Sequence, residues 1–344
     1  MADIVNVGVL GMGTIGVTHA RALNALRGSA RLFAFSGGSA SVVADAGWPG
    51  ALQLSPKELL EDSRIQVIAI CSPSGLHPEH ALRSLEAGKH VVVEKPLALT
   101  VADARRIVAV AEQRSLTVSV MSQRRFEPEM IAVRRALEDG TFGAVRLATT
   151  HVHWWRDEDY YAAAAWRDDP VAGGGSLLNQ GVHNIDLLQW LAGPVQSVTA
   201  QSATLGHHGE AEDTTVATLR FAGGGLGLVS TSTATPPGSP ATLALYCERG
   251  LVEVGQGEIL RWETDFVSPP HLAKNDKDLG VGGTDSPAIG IAGHVQQWSD
   301  ILLALQEQRP PQVDGYDGTA TVHLLAAITN AARTGHLTTL EASL

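Results

Sequence analysis

From Ile4 to about Val120, short β-branched and aliphatic runs alternate with amphipathic stretches, the pattern of βαβ units stacked into a parallel sheet. The runs predict strands at Val5–Leu10, Leu32–Phe35, Val67–Cys71, Val91–Glu94 and Thr117–Met121. A glycine turn follows the first strand and opens a helix from near Ile15 through Ala25. Pro78–Ala87 reads as a helix stopped by Gly88, and Thr100 with Asp103 three residues on is the capping signal for a helix over Val101–Gln113. After Phe126 the rhythm changes. One strong helical pattern over Ser176–Ala192 is followed by short strands with glycine turns, such as Thr215–Phe221 and Gly227–Thr233, and then by helical patterns at His294–Gln306 and Thr319–Arg333. The pattern predicts an α/β chain of two domains: a doubly wound parallel sheet over 1–124, then an α+β domain over 125–344 with a large, mostly antiparallel open sheet. Ser268–Gly290 is rich in Pro, Gly and Asp, lacks periodicity and reads as a surface loop.

Composition narrows the function classes. With 44% hydrophobic and 18% charged residues the balance is globular, and no apolar run is long enough to span a bilayer. A net charge of -11 repels a phosphate backbone, so nucleic acid is not an expected partner. The residues Asp3 to Leu10 read as a first strand rather than an export signal, and two distant cysteines suggest neither a disulfide framework nor a zinc site, so a cytoplasmic location is expected.

Candidate chemistry clusters at two places. Gly11-Met12-Gly13-Thr14-Ile15-Gly16 follows a strand and opens a helix, the context in which a glycine fingerprint holds a dinucleotide pyrophosphate on a helix N-terminus. The acid that usually ends the second strand and binds the ribose 2′-hydroxyl is replaced by Ser36, which permits NADP without demanding it, no Lys or Arg following. Lys95, in Val91-Val92-Val93-Glu94-Lys95-Pro96, stands at the carboxyl end of a parallel strand, where open α/β sheets build ligand crevices, and a following proline is able to hold a cis peptide. The second cluster begins with Gly173-Gly174-Gly175 and sets Asn179, His183 and Asp186 at i, i+4 and i+7 on one face of an otherwise apolar helix. His151 and His153 alternate onto one strand face and His207 adjoins His208, but neither pair has a third ligand at a recognisable spacing, so no metal is expected.

These motifs together resemble the glucose-fructose oxidoreductase and inositol dehydrogenase (Gfo/Idh/MocA) family, in order and spacing along nearly the whole chain. Supporting stretches are Cys71-Ser72-Pro73-Ser74-Gly75-Leu76-His77, Ala87-Gly88-Lys89-His90 and Arg125-Phe126-Glu127-Pro128. The resemblance implies a Rossmann domain, NAD or NADP as cofactor, and a second domain whose open sheet joins copies into a homodimer or homotetramer. It implies that Lys95 and His183 are catalytic, and that Gly11, Gly13, Thr14, Ile15, Gly16, Ser36, Ser72, Pro73, His77, Glu94 and Lys95 meet the cofactor. Substrate contacts are expected from Lys95, Arg125, Trp155, Arg156, Tyr161, Trp166, Arg167, Asn179 and His183, because aromatic faces pack on sugar rings and arginines bind carboxylate or phosphate. Asn179 occupies a position that is frequently acidic in the family; an amide takes no proton, so it is expected to fix a substrate hydroxyl. The expected activity is hydride transfer between nicotinamide and a secondary alcohol or ketone of a sugar, inositol or sugar derivative. The rival is a sugar- and cofactor-binding sensor without turnover.

Overall fold

The computed structural model describes residues 4–268 and 290–340. The chain divides into two compact units, Met1–Gln123 with Ile291–Val322, and Arg124–Gly290 with His323–Leu344. The predicted loop at Ser268–Gly290 lies almost entirely outside the described residues.

The first unit is a six-stranded parallel sheet of β1 (Val5–Leu10), β2 (Ala30–Ser36), β3 (Leu52–Gln53), β4 (Val67–Ile70), β5 (His90–Val93) and β6 (Val118–Val120). Its strand order β3-β2-β1-β4-β5-β6 reverses direction between β1 and β4, the switch point at which doubly wound sheets take their ligands. Val67–Ile70 and Val91–Val93 are buried throughout, as strands covered on both faces must be. Thr100 caps the helix Val101–Gln113 by accepting the Asp103 N–H at 3.1 Å, as its sequence signal predicts. The helix Ala292–Glu307 belongs to this unit, where a boundary drawn from sequence at 124/125 puts it in the second. Trp298, Ile301 and Leu302 join the core of Val7, Val9, Phe35 and Val92, and the Gln297 amide bridges the Val120 carbonyl (2.7 Å) and the Ser122 N–H (3.0 Å). Each large side chain so buried contributes roughly 1.5–3 kcal/mol, and such non-local packing leaves no mark on local periodicity.

The second unit holds an eight-stranded sheet of β7 (Val145–His153), β8 (Val195–Ala203), β9 (Thr214–Phe221), β10 (Leu226–Ser232), β11 (Thr242–Cys247), β12 (Gly250–Val254), β13 (Ile259–Glu263) and β14 (Thr338–Thr339). It is antiparallel except where β10 runs parallel to β7. Strict alternation along β9 sends Ala217, Leu219 and Phe221 inward, against Leu187, Leu188, Leu324 and Ile328 of the helices on that face.

Candidate active site

At the switch point the fingerprint glycines have separate duties. Gly11 has φ +99°, and a Cβ there would lie 2.6 Å from the Cys71 carbonyl oxygen, while one on Gly16 would lie 2.2 Å from that of Gly11. Gly13, at the N-cap of the helix Thr14–Ala25, faces open space, so Gly13, Thr14 and Ile15 present unpaired N–H groups where a pyrophosphate can approach. Ser36 ends β2 beside this turn, its carbonyl accepting the Gly11 N–H at 3.1 Å. Ser72 and Pro73 follow β4 at the same sheet edge, with Ser72 Oγ 2.9 Å from His80 Nδ1. The residues therefore fit a dinucleotide.

His77 and Glu94, both expected to meet the cofactor, are turned into the protein. His77 is buried with Nδ1 2.7 Å from the Pro96 carbonyl and Nε2 2.8 Å from that of Ser72, so it ties the loop after β4 to the segment after β5. Burial lowers its pKa against the pull of those two carbonyls. Glu94 is buried with Oε1 2.8 Å from His19 Nε2, and its Oε2 accepts the Lys95 backbone N–H at 3.3 Å. Lys95 itself is partly exposed at the end of β5, and the Lys95-Pro96 peptide is cis. Burial lowers the lysine pKa while Glu94 holds it up, so its charge lies nearer to neutral pH than an ordinary lysine's.

Among the described residues His19, Glu94 and His294 bring ligand atoms within 4.8 Å of one another. The surroundings of His19 argue against a metal there. The Trp298 indole N–H, which only donates, points at His19 Nδ1 from 3.1 Å, so the single proton of the neutral ring sits on Nε2, the atom a metal would need bare. Burial opposes a second proton on His19, whereas Cys71 and then Glu94 favour one and carry its pKa to about 10; the indole at Nδ1 decides between them, since two N–H groups cannot share that line.

In the second unit the predicted single helix is in two parts, a wide π-type turn at Ser176–Gly181 and an α-helix at Val182–Ala192. Such turns recur at functional sites because they reorient side chains within a helix. Glu212 fixes its start, its carboxylate accepting the Leu177 N–H (2.7 Å), Ser176 Oγ (2.6 Å) and Thr215 Oγ1 (3.0 Å). Gly174 and Gly181 are needed for contact, because a Cβ would lie 2.4 Å from the Arg167 carbonyl and 2.5 Å from Thr231 Cγ2 respectively. The turn breaks the predicted shared face. Asn179 and His183 stay partly exposed, while Asp186 is buried in a two-point ion pair with Arg125, at 2.7 and 2.9 Å. Arg125, expected at the substrate, is thus engaged inside the unit, with its guanidinium 5.6 Å from the Trp190 ring centre.

Tyr160, which the sequence reading leaves out of the site, organises the remaining residues. Its hydroxyl oxygen accepts from Asn179 Nδ2 (3.1 Å) and Gln180 Nε2 (2.8 Å), and the guanidinium carbons of Arg167 and Arg156 lie 4.1 and 5.2 Å from its ring centre. Arg156 is buried, and burial lowers its pKa against the pull of Tyr160. Tyr161 is occupied by Thr233, 2.8 Å from its hydroxyl, and Trp155 is tilted against His207 at 5.7 Å. Trp166 is partly exposed in the short helical turn Ala165–Arg167.

In the first unit, a glycine fingerprint at the N-terminus of the helix after β1 and a lysine at the end of a strand two places along the same parallel sheet are the arrangement of a nicotinamide-dependent oxidoreductase. Residues 5–122 match the family described as "Oxidoreductase family, NAD-binding Rossmann fold", and residues 130–253 match the GFO/IDH/MocA C-terminal domain. An uncharacterized oxidoreductase of Escherichia coli, YhhX, is 32% identical over 75% of this chain and 70% of its own. Inositol 2-dehydrogenase 1 of Saccharopolyspora erythraea is 34% identical, the match spanning 54% of each chain, about half the length of that curated relative. The WlbA dehydrogenase of Bordetella pertussis, solved with NADH and UDP-GlcNAcA, superposes with a TM-score of 0.86 at 32% identity over 99% of this chain and 100% of its own. The chain belongs to the Gfo/Idh/MocA family of NAD(P)-dependent oxidoreductases.

Proposed function

We propose that this oxidoreductase oxidises a secondary alcohol of a sugar or sugar derivative, or reduces the corresponding ketone, with Lys95 and His183 as its working pair. The observation that carries this is Lys95, held at a strand end of the cofactor-binding sheet with its pKa lowered by burial. The nicotinamide, when bound, supplies the hydride acceptor or donor. His183 takes the hydroxyl proton as the alcohol is oxidised, and the Lys95 ammonium stabilises negative charge on that oxygen; in reduction the roles reverse. Asn179 and Tyr160 fix neighbouring sugar hydroxyls. Arg156 and Arg167, both over the Tyr160 ring, favour a sugar bearing carboxylate or phosphate. The nucleotide-linked uronic acid in the WlbA structure supports the same choice.

The test is cofactor absorbance with NAD and NADP against inositols, aldoses, deoxysugars, uronic acids and nucleotide-linked uronic acids. Lys95→Ala and His183→Ala should each lower kcat by about a hundredfold to ten-thousandfold and leave cofactor affinity largely intact. The double variant should lose far less than the product of the two. Sugar binding without an absorbance change in the parent would favour the sensor instead, and near-parent turnover in His183→Ala would remove that residue from the chemistry.

A further inference from the structure

Glu94 adjoins Lys95 in sequence yet faces away from the sheet edge, toward side chains from two separate helices. His19 reaches it from the helix Thr14–Ala25, with Nε2 2.8 Å from Oε1. His294, from the helix Ala292–Glu307, stands with Nε2 3.8 Å from the same oxygen. The Lys95 backbone N–H meets Oε2 at 3.3 Å. Trp298, one turn beyond His294, donates its indole N–H to His19 Nδ1 at 3.1 Å, its ring edge-on to the imidazole at 89°. Cys71 faces His19 from the end of β4, and His77 and Lys95 lie within the electrostatic reach of Glu94. His19, His294 and Trp298 are fully buried, at 0% exposure, so bulk solvent does not reach their ring nitrogens.

We propose that Trp298 and His19 are positioning residues for Lys95: the indole fixes the His19 proton on Nε2, that proton holds Glu94 ionised and turned inward, and the Glu94 carboxylate sets the charge state of the Lys95 ammonium. The chain of donors permits one arrangement only. With the proton on Nδ1 instead, an N–H would face the indole N–H and a bare Nε2 lone pair would face a carboxylate, two repulsions in place of two hydrogen bonds. With protons on both, the ring would carry a charge that cancels the field of Glu94 at Lys95. The tryptophan therefore keeps His19 from adding a charge that would oppose the field of Glu94 at the lysine. Against burial, which raises the pKa of a carboxyl, His19 and His294 keep that of Glu94 well below its ordinary value.

The proposal rests on the reading of Lys95 as a working residue only for its effect on turnover, and its test separates the two. In the full-length protein, 15N resonances of labelled histidine report which ring nitrogen is protonated. The pH dependence of Lys95 acylation, followed by mass spectrometry, reports its pKa without any substrate. The parent should show a bare Nδ1 and a protonated Nε2 on His19. Glu94→Gln should lower the Lys95 pKa by about one unit or more. Trp298→Phe should lower it by less, because His19 is then free to take a second proton. His19→Gln, which keeps a donor toward Glu94, should stay close to the parent, whereas His19→Ala should not. A protonated Nδ1 in the parent, or a Lys95 titration unmoved by Glu94→Gln, overturns the proposal even if Trp298→Phe does not fold. A moved titration with an unmoved kcat/KM pH profile leaves the proposal standing and removes Lys95 from the chemistry.

Discussion

Ser36 closes β2 with its side chain buried and its carbonyl bonded to the fingerprint turn, so a carboxylate there would stand at the edge where an adenosine ribose is recognised. Ser36→Asp should weaken NADP binding through repulsion of its 2′-phosphate and leave NAD binding nearly unchanged; calorimetry showing NADP bound as tightly as by the parent would disprove it. Tyr160 carries a second prediction at this scale. Tyr160→Phe keeps the ring under Arg167 and removes the oxygen on which two amides converge, so KM for the sugar should rise by about tenfold, the equivalent of one hydrogen bond, with cofactor affinity unchanged. An unaltered KM would make Tyr160 a packing residue. The positions of the fingerprint glycines at a helix start and of Lys95 at a strand end were legible in the sequence because each depends on its own neighbours. The inward turn of Glu94 was not, since Val91, Val92 and Val93 are all buried and a strand covered on both faces gives no alternation from which to read direction. His19 and Trp298 meet across 279 positions, a pairing only folding reveals.

Among the elements, the strands and helices predicted before Phe126 follow their hydrophobic runs within a residue or two, whereas the short β3 and the helices Ala40–Asp45 and Pro56–Glu61 went unpredicted and the helical pattern at Ser176–Ala192 conceals the π-type turn. Periodicity cannot register that break, because Glu212 and Thr231, which impose it, come from elsewhere in the chain. The entry to the helix Pro128–Glu138 holds another feature of this kind. Glu127 and Glu129 flank Pro128, and in the fold burial first, then the neighbouring carboxyl, raise the Glu127 pKa to about 7 although Arg124 opposes them. A carboxyl whose folded pKa exceeds its unfolded one adds stability that is complete below the unfolded value and is lost as pH rises through about 7. Glu127→Gln should therefore gain on the order of 1 kcal/mol over the parent at pH 8 and nothing at pH 4. Thermal melts at the two pH values check this, and an equal difference at both would show that the carboxyl does not titrate in that window.

At the scale of the whole molecule, two sheets of different kind were legible from the change of rhythm after Phe126, but the return of Ile291–Val322 to the first unit was not, its cause being contacts with strands nearly two hundred residues earlier. Among the described residues no helix is long and apolar enough to cross a membrane. The second unit's sheet packs its helices on one face, and the other face shows a row in register across three strands, Tyr246 beside Leu147 beside Leu226, with Leu228 and Val216 exposed nearby. Thr149, Thr218 and Ser230 fill the intervening places and Arg220 stands beside Leu226 at the end of the row, so the face carries a patch of apolar and hydroxyl groups that is able to pair with itself under twofold rotation. A cluster of this kind left in water is the mark of an interface, and a second copy of the same sheet is the surface that fits it. The chain should form a homodimer or homotetramer through this face. Leu226→Glu with Leu228→Glu places two charges on this face without touching the buried side of β10, and should shift the mass measured by light scattering toward the monomer while circular dichroism stays unchanged. A parent that scatters as a monomer across a wide concentration range would refute the assembly outright, and a double variant that keeps the parent's oligomeric mass would move the interface to another surface.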